Sequence, residues 1–586
     1  MKKLAKLVII LILAATIQPL FSQVNSTYQL NLTKMNQFLR AINDQYVDTV
    51  NFNKLVEEGM ISILKDLDPH STYIEPKEVA RANEPLQGGF DGIGVAYQLI
   101  KDTINVVEVI VDGPSEKVGL RVGDKILKVD TFVACGKNIN NSWVQKHLRG
   151  KKGTKVKLLV KRGQQSEPLE FTVTRDKIAQ NSINVFFMAD EHTGYIRLER
   201  FAKDSKTEFE NALTRLKARG LKNLILDLRG NSGGYLGTAF DIADEFISDK
   251  KMIVYTKNIR GSGDSFFSTS RGEFEKGKLI VLIDEGSASA SEIVSGAVQD
   301  HDRGLIIGRR SFGKGLVQRP LTLADRSEVR LTISRYYTPA GRCIQKPYED
   351  GLESYFNDLN NRSQHGELLS ADSIHFPDSL KYKTDNGRIV YGGGGIMPDI
   401  FIPLDTSKYS SLYNEMVRKG IISGFTMNYM ESHRENLKNQ YPTMDDFLAN
   451  FKVDNTLMDM LIDYAHKEGV KDSIDLSFSA RMQSFVKEKS KELDSLYKNV
   501  SDMNDLSKLQ SMVDEYVRNS YAESMKVRNL SKVREYLAET LTFEFARTLY
   551  SFGEAYRILL QTDETFLKAV DIMKNEKMFK KFKVDR

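Results

Sequence analysis

The spacing of apolar residues changes character several times along the chain. In the first part, stretches such as LTKMNQFLRAINDQYV and FNKLVEEGMISILKDL place apolar residues three or four positions apart, the period of an amphipathic helix. From residue 88 to about 177, short apolar runs such as TINVVEVI and TKVKLLVKR are typical of β-strands. We therefore predict a helical segment over residues 23–84 and a β-rich domain over residues 85–178.

A third pattern begins near residue 194, where apolar runs alternate with helical stretches. The runs NLILDLRG and KLIVLIDE are continuously apolar, and the stretches KTEFENALTRLKARG and GTAFDIADEFI lie before and between them. Strands that are apolar on both faces and alternate with helices are typical of a parallel sheet covered by helices. This pattern predicts an α/β layer over residues 179–345.

The last two segments are a polar stretch and a long helical one. Residues 346–395 are rich in Asp, Asn and Gly and end in GGGG, and the apolar IMPDIFIP follows. We predict a long insertion or loop and then a closing strand, over residues 346–405. From 406 to 586 the helical period returns with much Lys and Glu, which predicts a carboxyl-terminal helical domain. The whole chain is predicted to be an α+β multidomain protein.

Length and charge narrow the function classes. The sequence has 586 residues, too many for one ordinary hydrophobic core, so several domains are expected. Lys and Arg number 83 against 78 Asp and Glu, for a formal charge of +5. Three of those lysines lie in the first 22 residues, which contain no acid, and without them the charge is +2. So small a balance does not indicate nucleic acid as a partner.

The first residues, MKKLAKLVIILILAATIQPLFS, have a basic start, a short apolar stretch and small or polar residues near Ser22. This pattern predicts a signal peptide, residues 1–22, and an exported protein. A retained anchor is the alternative, but the apolar stretch is short against the ~20 residues that a span needs. The two cysteines, Cys135 and Cys343, lie far apart; an exported chain permits a disulfide, but isolated thiols are more often unpaired, and no cysteine cluster suggests a metal site.

The stretch GSASASEIVSGAVQD, residues 286–300, crowds serines ahead of an apolar run. Ser289 and Glu292 have the spacing of a capping box, and Ile293 and Val294 begin an apolar helix face. The serines can therefore simply open a helix. Alternatively, one of them is a nucleophile at a strand-to-helix junction. The local pattern leaves both interpretations open.

A second cluster, GRRSFGKGLVQ, follows at residues 308–318. As a phosphate loop it lacks the Ser or Thr after Lys314, and the following LVQRPL looks extended rather than helical. A pair of Ser311 with Lys314 has the spacing used by penicillin-binding enzymes, but the flanking glycines disfavour the helix that this pair requires. A third interpretation pairs Lys314 with a serine of residues 286–300. A lysine can serve as general base there only when neutral, which requires burial to lower its pKa.

Several motifs, in order, closely resemble the carboxyl-terminal processing proteases, also called tail-specific proteases. The resemblance covers most of residues 30–405 and rests on LDPHSTY, GIGV, GPSEKVGLRVGDKILKVD, LRGKKGT, GYIRLERF, LDLRGNSGG, SASASEI, GAVQDHDRGLIIG, FGKGLVQ and YYTPAGRCIQ. It implies a serine-protease core of the ClpP/crotonase-like type with an inserted PDZ domain. Residues 406–586 depart from the compact members of the family.

The resemblance also implies roles for individual residues. The family's nucleophile falls on Ser289 and its general base on Lys314, and Gln318 matches the residue that helps orient the lysine. The oxyanion donors implied are the N–H of Ala290 and that of Gly233, with Gly234 close behind. Ser287 and Ser291 are then small turn and capping residues. No metal or cofactor is implied.

The PDZ resemblance implies recognition of substrate chain ends. Such domains bind a free carboxyl terminus by strand addition, and the loop residues implied here are Gly92, Ile93, Gly94 and Val95. Glycine is needed there because the backbone must approach the carboxylate closely. A purely structural β-domain is the simpler alternative. The expected partners are proteins or peptides with free carboxyl termini, not nucleic acid.

The motifs together predict an exported serine endopeptidase that recognises carboxyl termini, in the periplasm if the source cell has two membranes. Two alternatives stay open. One is a catalytically silent PDZ adaptor or chaperone, and the other is a protease assisted by His301, as in the tricorn type. For residues 406–586 the candidate roles are homo-oligomer formation, docking of an adaptor protein and covering of the active site.

Overall fold

The computed structural model describes residues 27–163, 165–406, 411–470 and 533–584. The predicted signal peptide, residues 1–22, lies outside the described residues. The chain divides into two compact units. One comprises residues up to Lys77 together with Gln318–Thr332, and the other comprises Glu78–Val317 and the chain from Ile333 onward. Each unit is described by itself.

The helices are numbered in chain order. They are α1 (27–45), α2 (Phe52–Lys65), α3 (Val79–Asn83), α4 (Pro114–Lys117), α5 (Asn141–Leu148), α6 (Ser205–Lys217), α7 (Leu236–Asp244), α8 (Ala290–Asp300), α9 (Leu352–Gln364), α10 (Ser411–Arg418), α11 (Ile421–Gln440), α12 (Met444–Asn450), α13 (Asn455–Lys467), α14 (533–549), α15 (Phe552–Leu560), α16 (Glu564–Lys574) and α17 (Glu576–Lys581). None of these described helices has the length and apolar character needed to span a bilayer.

The strands are numbered in the same way. They are β1 (Thr72–Ile74), β2 (Gly89–Gly92), β3 (Val95–Ile100), β4 (Thr103–Val109), β5 (Lys125–Val129), β6 (Phe132–Val133), β7 (Lys155–Lys161), β8 (Leu169–Thr174), β9 (Asp176–Ala179), β10 (Val185–Met188), β11 (Thr193–Arg197), β12 (Asn223–Asp227), β13 (Met252–Lys257), β14 (Ser265–Phe267), β15 (Leu279–Ile283), β16 (Leu305–Gly308), β17 (Leu316–Thr322), β18 (Glu328–Tyr337), β19 (Lys381–Lys383), β20 (Ile389–Tyr391) and β21 (Ile400–Phe401).

The first unit holds the predicted amino-terminal helices α1 and α2 and a small antiparallel pairing. Strand β1 pairs with residues 328–330 of β18, with Tyr73 opposite Val329. Asp68, in the turn between α2 and β1, accepts hydrogen bonds from the N–H groups of His70 and Ser71. The turn is therefore closed by one carboxylate, which fits the DPHSTY sequence.

The β-rich domain predicted over residues 85–178 is present in the second unit. Strands β3, β4, β5, β7 and β8 form an antiparallel sheet in that order, and β6 pairs with β5. In β7, Val156, Leu158 and Val160 are buried, because alternate residues of a strand face the same side. They join Val144 and Leu148 of α5 in one hydrophobic core. Strands β2 and β9 pair with each other, so the domain begins and ends at one point.

The predicted α/β layer is built on a six-stranded sheet in the order β10-β11-β12-β15-β16-β21. All neighbours run parallel except the edge pair β10–β11, which is antiparallel. Both faces are buried. In β15, Leu279, Val281 and Ile283 pack with helices α6 to α8, whereas Ile280 and Leu282 point to the opposite face. This explains why the strand reads as continuously apolar.

The carboxyl-terminal helices pack in two places. Helices α10 to α14 and one face of α15 form a second hydrophobic cluster, around residues such as Met416, Phe447, Leu461 and Phe545. Helices α16 and α17 instead cover the second face of the six-stranded sheet. The helical character predicted for residues 406–586 is thus present among the described residues, but its last helices belong to the α/β layer. The adaptor and the homo-oligomer remain predictions.

The prediction of a loop within residues 346–395 is wrong in part. The segment contains helix α9 and the β19–β20 hairpin. The helix has only two buried side chains, Tyr355 and Arg362, and the rest of LESYFNDLNNRSQ is largely polar. Because one of the two buried residues is an arginine, the apolar period that reveals a helix is missing from the sequence. The closing strand predicted from IMPDIFIP is present as β21, beside β16.

Candidate active site

Ser289 stands at the junction of a strand and a helix. It follows the turn after β15 and is the residue before the first turn of α8. Its backbone has φ 55° and ψ −111°, a conformation that a non-glycine residue rarely adopts. Strained backbone of this kind concentrates at functional sites. We refer to residues 284–289 as the serine turn.

The neighbouring serines have structural contacts, as predicted. Ser287 and Ser291 are fully buried. The Ser287 hydroxyl donates to the Leu228 carbonyl at 2.8 Å, and the Ser291 hydroxyl donates to the Asn231 carbonyl at 2.7 Å. Ser289 is only partly buried. Among these three serines, it is therefore the one that a substrate can reach.

Glu292 connects the serine turn to the lysine loop, which we define as residues 309–315. Its Oε2 accepts the N–H groups of Ser289 at 2.8 Å and Lys314 at 2.9 Å. Its Oε1 accepts the Ser311 hydroxyl at 2.6 Å and the Gly313 N–H at 2.7 Å. The carboxylate therefore uses all its acceptor positions. Glu292 is fully buried, and burial raises its pKa to about 7, although these hydrogen bonds act to lower it.

The sequence suggested only half of this role. The capping-box spacing predicts that Glu292 accepts from the Ser289 backbone, and it does. No local signal indicates that the same carboxylate also receives the lysine loop, because that loop begins seventeen residues later in the sequence. Glu292 is the main residue of the candidate site that sequence reasoning missed.

Two further contacts hold the lysine loop against the serine turn. The Phe312 N–H donates to the Ser287 carbonyl at 3.0 Å. The hydroxyl of Tyr336 on β18 lies 3.0 Å from the Ser289 carbonyl and 2.5 Å from that of Lys314. Tyr336 is fully buried, and burial raises its pKa well above the usual value, so its hydroxyl remains a donor. The backbones of Ser289 and Lys314 are thus brought together by one carboxylate and one hydroxyl.

The insertion also contacts the lysine loop. Arg362 of α9 donates to the carbonyls of Arg310 at 2.8 Å and Ser311 at 3.2 Å. The Lys346 ammonium lies 4.2 Å from the ring centroids of both Phe312 and Tyr355. Burial lowers the pKa of Lys346, although its pairing with the Asp358 carboxylate acts to raise it. The segment predicted as a loop therefore supports the loop that carries Lys314.

Of the two glycines predicted as oxyanion donors, Gly233 lies beside the serine turn and Gly234 lies against Phe201. A side chain at Gly233 would come within 2.9 Å of Ser289 Cβ and 3.0 Å of Ala290 N, and one at Gly234 within 2.2 Å of the Phe201 carbonyl oxygen. Both have positive φ, 106° and 152°. Only glycine fits such positions. The Gly233 N–H donates to Asn231 Oδ1 at 2.9 Å and so points into its own loop.

Gln318 lies on β17, in the first unit. Its Nε2 donates to the Thr332 hydroxyl at 3.2 Å, and that hydroxyl donates to Asp68 Oδ1 at 3.0 Å. The side chain is therefore held within its own unit by a short chain of polar contacts. Its role in orienting Lys314 stays a prediction.

The competing interpretations of residues 286–318 disagree with the structure. His301 is the residue after α8, whereas Ser289 precedes it, and at ~1.5 Å per residue the helix separates them by about 18 Å. Its ring nitrogens contact Asp385 at 2.8 Å and the Met252 carbonyl at 2.6 Å. Lys314 is followed by strand β17 instead of the helix that a phosphate loop opens. Ser311 is buried in a non-helical loop.

The four predicted loop residues of the β-rich domain line one small cavity. Gly92, Ile93, Gly94 and Val95 lie on one side, at the start of β3, and Val144, Gln145 and Leu148 of α5 lie on the other. Phe90, Tyr97 and Arg149 complete the lining, and the volume is about 80 Å3. Gly94 has φ 77°, and a side chain there would come within 3.2 Å of Pro114 Cδ. Glycine is therefore needed at residue 94 to keep this loop in its conformation beside the cavity.

Three family models match the chain. Residues 192–353 match peptidase family S41, residues 92–174 match the PDZ domain, and residues 412–484 match a family of unknown function. The S41 match contains Ser289, Lys314 and both glycines of the site. The PDZ match contains the four residues of the predicted loop. Among the described residues, no group of three or more His, Cys, Asp or Glu side chains is placed to hold a metal ion.

Two sequence relatives agree with these matches, and one solved structure is reported beside them. A carboxy-terminal-processing protease of Bartonella bacilliformis is 35% identical over 325 residues, which are 55% of this chain and 74% of that one. A probable CtpA-like serine protease of Staphylococcus aureus is 34% identical over 327 residues, 55% of this chain and 64% of the relative. A solved photosystem II D1 C-terminal processing protease is 25% identical, covers 62% of this chain and 91% of its own, and has a TM-score of 0.33.

Proposed function

The chain belongs to the carboxy-terminal-processing proteases of peptidase family S41, and we propose that it is an endopeptidase with Ser289 as nucleophile and Lys314 as general base. The observation that carries this proposal is the shared acceptor Glu292, which receives the N–H groups of both residues. The strained backbone of Ser289 at a helix start is a second support.

The proposed reaction has two halves. Neutral Lys314 accepts the proton of the Ser289 hydroxyl, and the oxygen attacks a peptide carbonyl to give an acyl-enzyme, releasing the amine after it is protonated. Water then attacks the ester and frees the carboxylate product. Gln318 is proposed to orient the lysine.

The negative oxygen of the intermediate requires fixed donors. The Ala290 N–H opens helix α8, where the helix dipole favours negative charge, and it is the first proposed donor. For the second, we favour Gly234 over Gly233, because the Gly233 N–H is already donated to Asn231. Removing either donor is expected to lower kcat about 10²- to 10³-fold, and measuring that loss tests each assignment.

Covalent labelling separates the enzyme from a catalytically silent PDZ adaptor. A serine-directed fluorophosphonate is expected to label the wild type, and Ser289→Ala is expected to lose the label and the cleavage of peptides together. Ser270→Ala, at an exposed position, is the matched control and should keep both. If neither the wild type nor Ser289→Ala is labelled or cleaves peptides, the adaptor is the better description.

We further propose that the PDZ domain selects substrates by a free carboxyl terminus. The backbone at Gly92, Ile93, Gly94 and Val95 would hold the carboxylate, and the largely apolar lining of the cavity would take a terminal side chain. Amidation of a substrate's carboxyl terminus then removes a charged hydrogen-bond acceptor without changing the scissile bond. Cleavage efficiency is expected to fall about ten- to a hundredfold, since such bonds contribute ~1.5–3 kcal/mol.

Matched free-acid and amide peptides test this selection. Gly94→Val should reduce kcat/KM for the acid and leave the amide almost unchanged, because its side chain would crowd Pro114 and Ile178 and displace the loop that holds the carboxylate. Gly163→Asn is the control substitution within the same domain, because the position has open space around it and asparagine tolerates its φ of 50° better than most residues. Equal cleavage of acid and amide by the wild type would mean that chain ends are not selected here, while leaving the proposed protease intact.

Export is proposed from residues 1–22, whose basic start and short apolar stretch are typical of a signal peptide. In a cell with two membranes the mature protein would then reside in the periplasm. Cell fractionation and sequencing of the mature amino terminus test both statements. A mature protein that begins at Met1 would contradict cleavage.

A further inference from the structure

The carboxyl-terminal helices reach the active site from the far end of the sequence. Asp563 precedes helix α16, and its Oδ1 accepts the Phe566 N–H at 2.7 Å, as an N-cap does. The same carboxylate accepts Nη1 of Arg229 with both oxygens, at 2.9 and 2.7 Å. Arg229 opens the glycine loop, which we define as residues 229–234. One carboxylate thus caps a terminal helix and contacts the loop with the proposed oxyanion glycine.

Arg229 is held on its other side by the end of β12. Its Nη2 donates to Asp227 Oδ2 at 2.7 Å, and its Nε lies 3.0 Å from Asp227 Oδ1. Asp227 is fully buried and also accepts the Tyr195 hydroxyl at 2.6 Å. Burial favours its protonated form, but Arg229, with the Arg197 guanidinium and the Tyr195 hydroxyl, outweighs burial and lowers the pKa of Asp227. Arg229 therefore lies between two carboxylates, one from the sheet and one from α16.

The glycine loop is in turn bonded to the serine turn. The Gly230 N–H donates to Asp284 Oδ1 at 2.8 Å. The Asn231 carbonyl accepts the Ala288 N–H at 3.0 Å, and Gly233 lies against Ser289 Cβ. A series of polar contacts therefore runs from Asp563 through Arg229 and the glycine loop to Ala288, the residue before the nucleophile, and Gly233 packs against Ser289 itself.

Apolar packing already fixes the terminal helices. Phe566, Ala569 and Ile572 of α16 and Phe579 of α17 are buried against the sheet. The Asp563–Arg229 pair is largely buried, with 26% of the Asp563 side chain and 12% of the Arg229 side chain accessible. When Asp563 is replaced, Arg229 keeps its hydrogen bonds to Asp227, so its buried charge is not left without a partner. Holding the helix in place does not require this pair, so its effect should be found at the glycine loop.

We propose that Asp563 is a positioning residue: helix α16 holds Arg229, and through it the glycine loop, in the conformation that the reaction at Ser289 requires. This inference rests on the proposed function. It assigns the last part of the carboxyl-terminal segment to the catalytic unit. Asp563 lies outside residues 192–353, the part that matches the peptidase family model.

The experiment separates pairing from capping. Asp563→Ser and Asp563→Asn keep an N-cap oxygen and remove the charge that pairs with Arg229, whereas Asp563→Ala removes both. For Asp563→Ser and Asp563→Asn we expect kcat to fall about ten- to a hundredfold with little change in KM or Tm, because a small misplacement of a catalytic group has such an effect. Asp563→Ala should show the same fall in kcat and also a lower Tm. Asp571→Asn, on the exposed side of α16, is the matched control.

Two further readouts exclude a merely structural role. A peptide boronate forms a tetrahedral adduct with the nucleophile. Its affinity for the Asp563→Asn enzyme should fall by about the same factor as kcat, whereas a peptide that is not cleaved should bind this variant as tightly as it binds the wild type. Hydrogen–deuterium exchange of the full-length Asp563→Asn variant should be faster than in the wild type over residues 230–235 and unchanged in α16.

The outcomes are distinct. Wild-type kcat and boronate affinity in Asp563→Asn would overturn the proposal, and so would a loss of activity that merely follows a loss of Tm. Unchanged exchange over residues 230–235 would also overturn it, whether or not the enzyme is active. A wild type without Ser289-dependent cleavage would contradict the proposed function itself, and the exchange experiment would still decide the link between α16 and the glycine loop.

Discussion

Replacing Ser289 with alanine is expected to abolish peptide cleavage, and replacing Lys314 with alanine or arginine is expected to do the same. Alanine at 289 removes the attacking oxygen, and alanine at 314 removes the base that accepts its proton. Arginine keeps the positive charge but cannot be deprotonated near neutral pH, so it cannot replace a neutral lysine. Removing a member of such a catalytic unit typically costs ~10⁴-fold or more in kcat.

The controls for these variants come from the structure. Ser270→Ala and Lys276→Ala change the same residue types at exposed positions and should leave kcat/KM unchanged. Tm and circular dichroism spectra of all variants show whether the fold is intact. Cleavage by a correctly folded Ser289→Ala enzyme would assign the nucleophile to another residue.

Ser311 is unsuitable as a neutral control. The sequence presents it only as a competing serine, three residues before Lys314. In the structure its hydroxyl donates to Glu292 at 2.6 Å and accepts the Ile396 N–H at 2.6 Å. Removing it would leave a buried N–H without that acceptor. Ser311→Ala is therefore expected to lower stability and to reduce activity in part, without removing the nucleophile.

Those features of the fold that rest on local periodicity could be predicted from the sequence. Alternation in KVKLLVK identifies the buried face of β7, and the continuous apolar run LIVLI identifies β15 as a strand covered on both sides. At Ser289 the local pattern left a capping residue and a nucleophile as alternatives. The structure shows why both fit: the strained residue that begins α8 is also the one left partly exposed.

The remaining features depend on contacts between distant parts of the sequence. Nothing near Glu292 indicates that it receives Gly313 and Lys314. Helix α9 was missed because its inward positions include Arg362, whose partners are backbone carbonyls of the lysine loop. Similarly, the period of α16 predicts an apolar face but does not specify the sheet that it covers. Periodicity indicates which face is buried, and only tertiary packing determines what lies against it.

Replacing Glu292 is expected to have the largest effect after the catalytic residues themselves. Its carboxylate accepts four hydrogen bonds from the serine turn and the lysine loop. Each buried donor left without an acceptor costs about 1–3 kcal/mol. Glu292→Ala deprives all four donors, so it should unfold at a much lower temperature. Glu292→Gln keeps one carbonyl oxygen but turns an amide N–H2 group toward two of the donors. We expect it to fold with reduced Tm and to lose at least a hundredfold in kcat.

The pH dependence distinguishes activity from stability at this residue. Burial raises the pKa of Glu292 to about 7, above that of an exposed carboxyl. The folded state therefore binds this proton more readily than the unfolded state. Its contribution to the free energy of unfolding is present below the ordinary carboxyl pKa and is lost as the pH rises through about 7. The charged form, which can accept all four donors, is the one expected to hold Ser289 and Lys314 in place.

Activity should consequently fall as the pH drops below about 7, although this group then favours folding. The measurements are kcat/KM and urea unfolding of the wild type between pH 5.5 and 8.5, on the scale of ~1.4 kcal/mol per pH unit of difference in proton binding. In Glu292→Gln, the part of the pH dependence of unfolding that comes from Glu292 should be missing. Glu191→Gln changes a side chain that is 90% exposed, and it should keep the wild-type pH dependence of both kcat/KM and unfolding. Infrared spectroscopy would identify the titrating group independently of Lys314. The Ser289→Ala variant should show a band of a protonated carboxyl at pH 6, and this band should be missing when Glu292 is also replaced by Gln. Full activity of a folded Glu292→Gln enzyme would show that this carboxylate does not set the geometry of the two loops.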